Sequence, residues 1–267
     1  MVNLKDSVMN NSRLQTKNLK LGYQQVTICQ DISLAIPDKQ VTIIIGPNGC
    51  GKSTLLRSLC NLLTPQAGEV LLDEHPIEKL PTKLLARKIA LLPQTMQAPA
   101  GITVTHLVAR GRFPYQSFMR QWSKEDKFAV EAAMKKTGIT EFADKTVDSL
   151  SGGQRQRAWV AMVLAQQTDI LLLDEPTTYL DIAYQYELLD IFRKLNQEQE
   201  RTVVAVLHDL NQACRYADNL VVMVKGQIIA QGKPTEIINE SLIKHVFDLE
   251  CQIIADPVTQ TPMIVPC

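Results

Sequence analysis

The sequence predicts an α/β fold with a mostly parallel sheet, and the order of its segments supports this prediction. Three apolar segments, DILLLDEP, TVVAVLHD and NLVVMVKG, are typical of buried strands, and they alternate with helical patterns at about 182–198 and 209–216. Strands that alternate with helices indicate a parallel sheet covered on both faces. A chain of 267 residues, 45% of them hydrophobic, is long enough to bury a large core around such a sheet.

The N-terminal part of the chain is rich in strand patterns. Short strands are predicted for LQTKNLKLGY and ISLAIP, and a buried strand for VTIIIG, so we expect an antiparallel β subdomain there. A helix is predicted from Lys52 to about Leu63, where TPQAGE ends it with proline and glycine. Residues 1–12 are polar and are expected to form a loose tail, followed by one domain over residues 13–267.

Residues from about 95 to 168 differ in character from the rest of the chain. VTHLVARG, KEDKFAVEAAMKKTG and GGQRQRAWVAMVLAQQ have helical periodicity, and no convincing strand pattern separates them. We therefore expect a helical lobe inserted in the α/β core.

The charge balance and the apolar runs argue against two classes of protein. Lys+Arg and Asp+Glu both number 28, so the formal net charge is zero and a nucleic-acid partner is not expected. The purely apolar runs are far shorter than the roughly 20 residues that span a bilayer. The first 13 residues lack the continuous apolar segment of a signal peptide. We expect a cytoplasmic chain that does not cross a membrane by itself.

GPNGCGKST, at 46–54, lies between the predicted strand VTIIIG and the predicted helix. Gly46, Gly51, Lys52 and Ser53 match G-x-x-x-x-G-K-[ST], the P-loop pattern. Its glycines let backbone N–H groups turn toward phosphate oxygens, its lysine reaches the terminal phosphates, and its serine can ligate Mg²⁺. An ordinary glycine-rich turn is the alternative, which the flanking strand and helix disfavour. The expected nucleotide contacts are Gly46, Pro47, Asn48, Gly49, Cys50, Gly51, Lys52, Ser53 and Thr54.

The six cysteines lie far apart and form no C-x-x-C pair, which argues against a zinc site and a disulfide framework. Cys50 differs from the others because it lies inside the P-loop pattern, at the start of a predicted helix. The positive end of that helix is expected to lower the pKa of its thiol.

The apolar strand pattern ILLLDE ends in two carboxylates, Asp174 and Glu175. In a parallel sheet this end of a strand faces the ligand. Asp174 is expected to hold Mg²⁺ directly or through water, and Glu175 to polarise an attacking water as a general base. Paired acids after a strand are often only a solvated turn, an alternative that becomes minor in a chain with a P-loop.

LSGGQRQR, at 150–157, places a serine and two glycines at the start of a predicted helix. Ser151 and the N–H groups that follow it can face phosphate oxygens, so Ser151, Gly152, Gly153 and Gln154 form a second expected anion-binding end. An isolated Ser-Gly-Gly is usually a flexible link or a helix cap. Its position between a P-loop and LLLDEP favours the phosphate-binding interpretation.

These motifs together resemble the ATP-binding subunit of an ABC transporter, a P-loop NTPase, from about residue 14 to the C-terminus. The resemblance implies that two subunits dimerise head to tail, with each ATP between the P-loop of one and the LSGGQ of the other. It assigns Tyr23 to stacking on adenine, Gln94 to sensing Mg²⁺ and the γ-phosphate, and His208 to the switch histidine. Asp181, in TTYLD, matches the loop that communicates across the dimer. The Mg²⁺ ligands implied are Ser53, Gln94 and Asp174.

Each of these assignments has an ordinary structural alternative. Tyr23 could be a strand-end aromatic residue, Gln94 a polar loop residue and His208 a satisfied core histidine. The order and spacing of the motifs favour the functional interpretation.

The resemblance also implies membrane partners. ATP binding and hydrolysis would close and release the dimer, and the helical lobe, through QAPAGITVTHLVARGRFPYQ, would contact a permease. PNGCGKSTLLR, TVTHLVARGRFPYQ and DPVTQTPMIVP resemble the ATPases of bacterial ferric-siderophore importers, whose relatives serve haem and vitamin B12. Such importers use an extracytoplasmic binding protein, which places this chain at the cytoplasmic face of the inner membrane. Two residues depart from the pattern: Tyr184, where many relatives have His, and Gln260, where many have Gly.

Two other classes share some of these motifs. A soluble ABC ATPase of DNA repair or translation usually carries a long coiled coil or a second ATPase domain, and neither pattern occurs here. A small-molecule kinase would also have a P-loop, but it would have no use for LSGGQ.

Overall fold

The computed structural model describes residues 12–24, 26–117, 122–178 and 180–267. These residues form two compact units. The first consists of the described residues up to Leu80 together with Thr202–Cys267, and the second is Pro81–Arg201. Residues 1–11 of the expected N-terminal tail lie outside the described residues, so that expectation stays a prediction.

The first unit begins with an antiparallel sheet whose strand order is β2-β1-β4-β5. β1 (Leu14–Tyr23) pairs with β2 (Val26–Ile36) on one side and with β4 (Ala67–Leu72) on the other, and β5 (His75–Pro76) completes the sheet. The antiparallel N-terminal subdomain is thereby confirmed. β2 starts six residues before the predicted strand ISLAIP because its first half also pairs with β1, down to Tyr23 opposite Val26.

The first unit also contains the parallel strands that carry the P-loop. β3 (Val41–Ile45) lies between β8 (Thr202–Val206) and β9 (Asn219–Val224) and is parallel to both. Every residue of β3 and β8 is buried, which explains their continuous apolar sequences. β10 (Gln227–Gly232) pairs antiparallel with β9 at the edge.

Helix α1 (Lys52–Leu59) follows β3 and ends four residues before the predicted Leu63. Asn61 takes a left-handed φ of 59°. The N–H of Asn61 donates to the Ser58 carbonyl at 3.0 Å, and the N–H of Leu62 donates to the Arg57 carbonyl at 2.9 Å. This pair of bonds is a Schellman cap, which ends the helix before the proline and glycine are reached.

The C-terminal part of the first unit contains three helices and a hairpin. α7 (Leu210–Tyr216) follows β8, and α8 (Pro234–Ile237) and α9 (Glu240–Phe247) follow β10. β11 (Cys251–Ala255) and β12 (Pro262–Pro266) pair antiparallel, and α7 packs against β12.

The described residues of the second unit include two parallel strands and five α-helices. β6 (Ile89–Leu92) pairs in parallel with β7 (Ile170–Asp174). The helices are α2 (Thr82–Lys88), α3 (Val104–Ala109), α4 (Lys124–Lys136), α5 (Gly152–Ala165) and α6 (Ile182–Gln199). α3 and α4 both pack on α5, so the stretch predicted to be helical does form a helical cluster. Within the described residues, no helix is both long enough and apolar enough to span a bilayer.

Candidate nucleotide-binding site

The P-loop connects β3 to α1 through a turn that requires glycine at two points. Gly46 has a φ of 153° and Gly51 a φ of 104°. A side chain at residue 46 would collide with the Met223 carbonyl oxygen, and a Cβ at residue 51 would lie 2.5 Å from the Cys29 sulfur. The backbone therefore approaches its neighbours too closely for any other residue.

Lys52 folds back over the loop that precedes it. The residue is only 5% exposed. Its Nζ donates to the Gly46 carbonyl at 2.8 Å and to the Pro47 carbonyl at 3.0 Å. An ammonium group has three N–H donors, and two of them fix the side chain across the loop. The third makes only a weak 4.0 Å contact with the Cys50 sulfur, which a phosphate oxygen, a much stronger acceptor, can replace.

Cys50 is buried in the loop, and the expected lowering of its pKa is wrong. Burial raises the pKa of the thiol, and the charge of Lys52, which acts in the opposite direction, does not offset it. Desolvation of the thiolate therefore outweighs the positive end of the helix. All six cysteines are free thiols.

Tyr23 and His208 both belong to the first unit, and each lies at or just after the C-terminal end of a strand. The Tyr23 ring, 42% exposed, ends β1, and Arg57 Nη1 on α1 lies 3.5 Å from its hydroxyl. Leu207, the first residue after β8, donates its N–H to the Ile44 carbonyl of β3 at 3.3 Å, and His208 comes next in the chain. Because β3 and β8 are parallel, His208 and the P-loop emerge at the same sheet edge. His208 is exposed, so the core-histidine alternative does not hold.

In the second unit, Gln94 and Glu175 are hydrogen-bonded. Gln94 Nε2 donates to Glu175 Oε2 at 2.8 Å. β6 and β7 are parallel, and Leu92 pairs with Leu173. Gln94 and Glu175 meet because each comes two residues after its member of this pair. Glu175 takes a left-handed φ of 53°, a strained conformation of the kind found at functional sites. Asp174, the last residue of β7, is buried.

The same carboxylate accepts a hydrogen bond from Thr178, a residue that the sequence reasoning missed. Thr178 Oγ1 lies 3.3 Å from Glu175 Oε2. Its position three residues after Glu175, in a loop, is the only sequence feature that could have indicated it. A groove beside the pair is lined by Gln94, Thr95, Met96, Gly152, Arg155, Gln156, Glu175 and Thr178.

The LSGGQ segment forms the N-terminus of α5 as expected. Ser151 is the N-cap: its Oγ accepts from the Gln154 N–H at 3.3 Å, and Gln154 Oε1 accepts from the Ser151 N–H at 3.1 Å. This capping box leaves Ser151 and Gly152 exposed at the positive end of a 14-residue helix. Gln156 Nε2 also donates to the Pro176 carbonyl, which ties α5 to the loop after Glu175.

Asp181 occupies the N-cap position of α6, and its exposed side chain makes no capping hydrogen bond to the helix. Gln185 Nε2 donates to the Leu180 carbonyl at 3.0 Å and fixes the segment before it. Among the described positions, the predicted residues thus divide into a P-loop group with Tyr23 and His208 in the first unit, and a group around Glu175, Ser151 and Asp181 in the second.

Comparison with known proteins agrees with these motifs. Residues 29–178 match the family model for ABC transporter. The petrobactin import ATP-binding protein FpuD of Bacillus anthracis is 55% identical over 253 residues, which cover 95% of this chain and 93% of that protein. The ferric enterobactin transport ATP-binding protein FepC of Escherichia coli strain K12 is 54% identical over 255 residues, covering 96% and 94% of the two chains.

Solved structures also resemble this chain. The dimeric structure of MJ0796, a bacterial ABC transporter cassette, has a TM-score of 0.76 at 29% identity and covers 82% of this chain and 98% of that one. A second dimeric structure of that cassette, in a post-hydrolysis state with bound ADP and Pi, has a TM-score of 0.75 at 28% identity, with the same coverage.

The family match spans more than half of the chain and includes the P-loop, Gln94, LSGGQ and Glu175. The curated relatives match nearly the full length of both chains. This chain therefore belongs to the ABC transporter family, as an ATP-binding subunit that hydrolyses ATP.

Proposed function

We propose that this chain powers the import of a ferric siderophore across the cytoplasmic membrane through a partner permease. The observation that carries the proposal is the extent of its similarity to FpuD and FepC. Identity of 54–55% covers about 95% of this chain, so it includes the helical cluster as well as the ATP motifs. The ATP motifs are common to the whole family, whereas similarity outside them supports a shared cargo class.

The P-loop residues bind the phosphates of ATP in this proposal. Lys52 supplies its third N–H donor to a terminal phosphate oxygen, and the backbone N–H groups of residues 46, 48, 49 and 51–54 surround the others. Pro47 has no N–H group to offer. Tyr23, at the exposed end of β1, stacks on the adenine. Thr54 is buried and contributes its backbone N–H group, whereas the N–H of buried Cys50 donates to the Pro47 carbonyl at 3.3 Å.

Ser53, Gln94 and Asp174 are the residues that would hold Mg²⁺. Their donor atoms are a hydroxyl, an amide oxygen and a carboxylate, and these hard oxygen ligands fit that cation. The hydrogen bond from Gln94 Nε2 to Glu175 orients the amide and leaves Oε1 as its ligand atom. The cation would neutralise charge on the phosphate oxygens during hydrolysis.

Glu175 is the general base of the proposed mechanism. The Gln94 amide and the Thr178 hydroxyl both point at Oε2, which fixes the carboxylate while Oε1 accepts a proton from the attacking water. His208 donates a hydrogen bond to a phosphate oxygen from the edge of the parallel strands.

Hydrolysis in this proposal requires two copies of the chain. Ser151, Gly152, Gly153 and Gln154 of one protomer contact the ATP held by the other, and Asp181 lies at the dimer contact. The exposed N-terminus of α5 suits this role because its N–H groups and dipole attract anions. The dimeric structure of the MJ0796 cassette supports the pairing of two copies. The cycle of closure and release drives a permease that receives cargo from an extracytoplasmic binding protein, with this chain on the cytoplasmic face.

The test is iron-limited growth of a host that lacks this chain and any redundant ATPase. Single ferric siderophores and haem are supplied as the iron source, with a parallel vitamin B12 assay, and the strain is complemented with the wild type or with Lys52→Ala. Growth on one siderophore that only the wild type restores supports the proposal and identifies the cargo. A defect confined to haem or vitamin B12, or no defect on any cargo, refutes siderophore import.

A further inference from the structure

The C-terminal hairpin is tied to the helix that follows His208. Asn211, on α7, forms two hydrogen bonds with the backbone of Ile264 on β12. The Ile264 N–H donates to Asn211 Oδ1 at 2.7 Å, and Asn211 Nδ2 donates to the Ile264 carbonyl at 3.3 Å. The side-chain amide therefore pairs with β12 much as the peptide group of a neighbouring strand would.

A second contact lies one helical turn further along α7. Arg215 Nη1 lies 3.8 Å from Asp256 Oδ2, in the turn of the hairpin. Residues 211 and 215 are four apart and thus on the same face of the helix. The turn is itself ordered, because Asp256 Oδ1 accepts from the N–H groups of Val258 and Thr259 at 2.7 and 2.9 Å. The hairpin thus holds one face of α7 at two points.

His208 lies between two fixed structures. On one side, the Leu207 N–H is bonded to β3 through the Ile44 carbonyl. On the other side, Asp209 is the N-cap of α7, and its Oδ1 accepts from the Gln212 N–H at 2.8 Å. The segment between strand and helix is therefore only three residues long, 207–209, and a shift of α7 must move His208.

We propose that Asn211 is a positioning residue for ATP hydrolysis, which places His208 by fixing α7 against the C-terminal hairpin. The inference rests on the role proposed for His208 above. Asn211 is half-buried and is three residues from His208 along the chain, so it acts through the helix and not by touching the nucleotide.

Steady-state ATP hydrolysis by purified Asn211→Leu, Asn211→Asp, His208→Ala and the double variants tests the proposal. Asn211→Leu loses both bonds, and its kcat is expected to fall about tenfold with KM for ATP unchanged, less than the roughly 100-fold that a 1 Å misplacement can cost. Asn211→Asp keeps an acceptor for the shorter bond, from the Ile264 N–H, and should lose less. Gln252→Leu, an exposed amide on β11, is the matched control and should match the wild type.

The double variants distinguish positioning from a general loss of folding. If Asn211 acts through His208, His208→Ala with Asn211→Leu should be no slower than His208→Ala alone. Multiplicative losses would overturn the proposal, as would wild-type kcat in Asn211→Leu when His208→Ala is impaired. Wild-type hydrolysis by His208→Ala would refute the proposed role of His208 and the inference with it. If Asn211→Leu does not fold, the same comparison is made with Asn211→Asp.

Discussion

The amide of Gln94 donates a 2.8 Å hydrogen bond to the carboxylate of Glu175. A carboxylate can accept this bond and still take a proton from water on its other oxygen, whereas an amide at residue 175 could accept the bond but not the proton. An amide at residue 175 would therefore keep the geometry of the site and remove its basicity.

Glu175→Gln should consequently bind ATP and fail to hydrolyse it. The loss of a general base lowers the hydrolysis rate by about 10²–10⁴-fold. ATP then remains bound, and the variant should accumulate as a dimer in which ATP bridges two protomers. Single-turnover hydrolysis and light scattering with and without ATP measure the two effects. A variant that is saturated with ATP and strictly monomeric would contradict the shared site.

Lys52→Ala should lose ATP binding. The alanine removes the donor to the terminal phosphates and also both bonds that hold the side chain across the loop, to the carbonyls of Gly46 and Pro47. Losing a charge-assisted hydrogen bond of about 1.5–3 kcal/mol predicts roughly a tenfold to hundredfold weaker Kd. Titration calorimetry with ATP measures it. Lys17→Ala, on exposed β1 surface, is the control and should bind like the wild type; equal affinity in both variants would remove the P-loop assignment.

The buried pair of Arg112 and Asp126 should stabilise the helical cluster. Arg112 Nε lies 2.8 Å from Asp126 Oδ1, and its Nη1 donates to the Ala165 carbonyl at 2.7 Å, so the guanidinium connects α4 to the end of α5. Both side chains are at most 6% exposed. Removing one partner of such a pair costs about 3–5 kcal/mol, because the other charge stays buried. Asp126→Asn should therefore lower the thermal midpoint markedly.

The contribution of Asp126 to the free energy of unfolding should also depend on pH. Burial acts to raise the pKa of this carboxyl, but hydrogen bonds from Arg112 and Ser123 outweigh it, and the pKa lies below its ordinary value. Its contribution is thus fully present above the unfolded pKa of about 4 and is lost as the pH falls through the folded pKa. The difference in stability between wild type and Asp126→Asn should shrink below about pH 4. Glu131→Gln breaks the exposed pair with Lys127 on the same helix and should change little at any pH.

Much of the fold could be predicted because its central strands are buried on both faces. β3, β7, β8 and β9 have almost uniformly apolar sequences, and that pattern needs no knowledge of partners. β6 has only four residues, and β10 has no fully buried residue, so neither differs enough from a loop in sequence. Such strands form because a neighbouring strand pairs with them, and that pairing belongs to the tertiary structure and cannot be read from the local sequence.

The candidate site was likewise predicted only in part from the sequence. The motifs identified Gln94 and Glu175 separately, but their hydrogen bond depends on the pairing of β6 with β7, and β6 was not predicted. The Cys50 pKa was predicted wrongly because the sequence shows that the residue precedes a helix and does not show how deeply the loop is buried. The bonds between Asn211 and Ile264 could not be predicted, because no strand was predicted for the C-terminal hairpin.

Gln260→Gly should stabilise the protein. Gln260 has a left-handed φ of 59° in the turn between β11 and β12, where its N–H donates to the Asp256 carbonyl at 2.9 Å. The left-handed conformation costs a residue with a Cβ about 1–2 kcal/mol, and glycine avoids this cost but loses about 0.5–1 kcal/mol through the entropy of its unfolded state. The net gain is on the order of 0.5–1 kcal/mol, or roughly 2 °C in Tm.

Scanning calorimetry of three variants separates turn conformation from other effects of the substitution. Gln260→Val should lower Tm, because a β-branched residue tolerates a positive φ least. Gln252→Gly, in β11, should also lower Tm. Residue 252 has an ordinary strand conformation, so glycine there relieves no strain and only adds the entropic cost of its more flexible unfolded state. If Gln260→Gly were as destabilising as Gln252→Gly, the turn would not be strained by its glutamine.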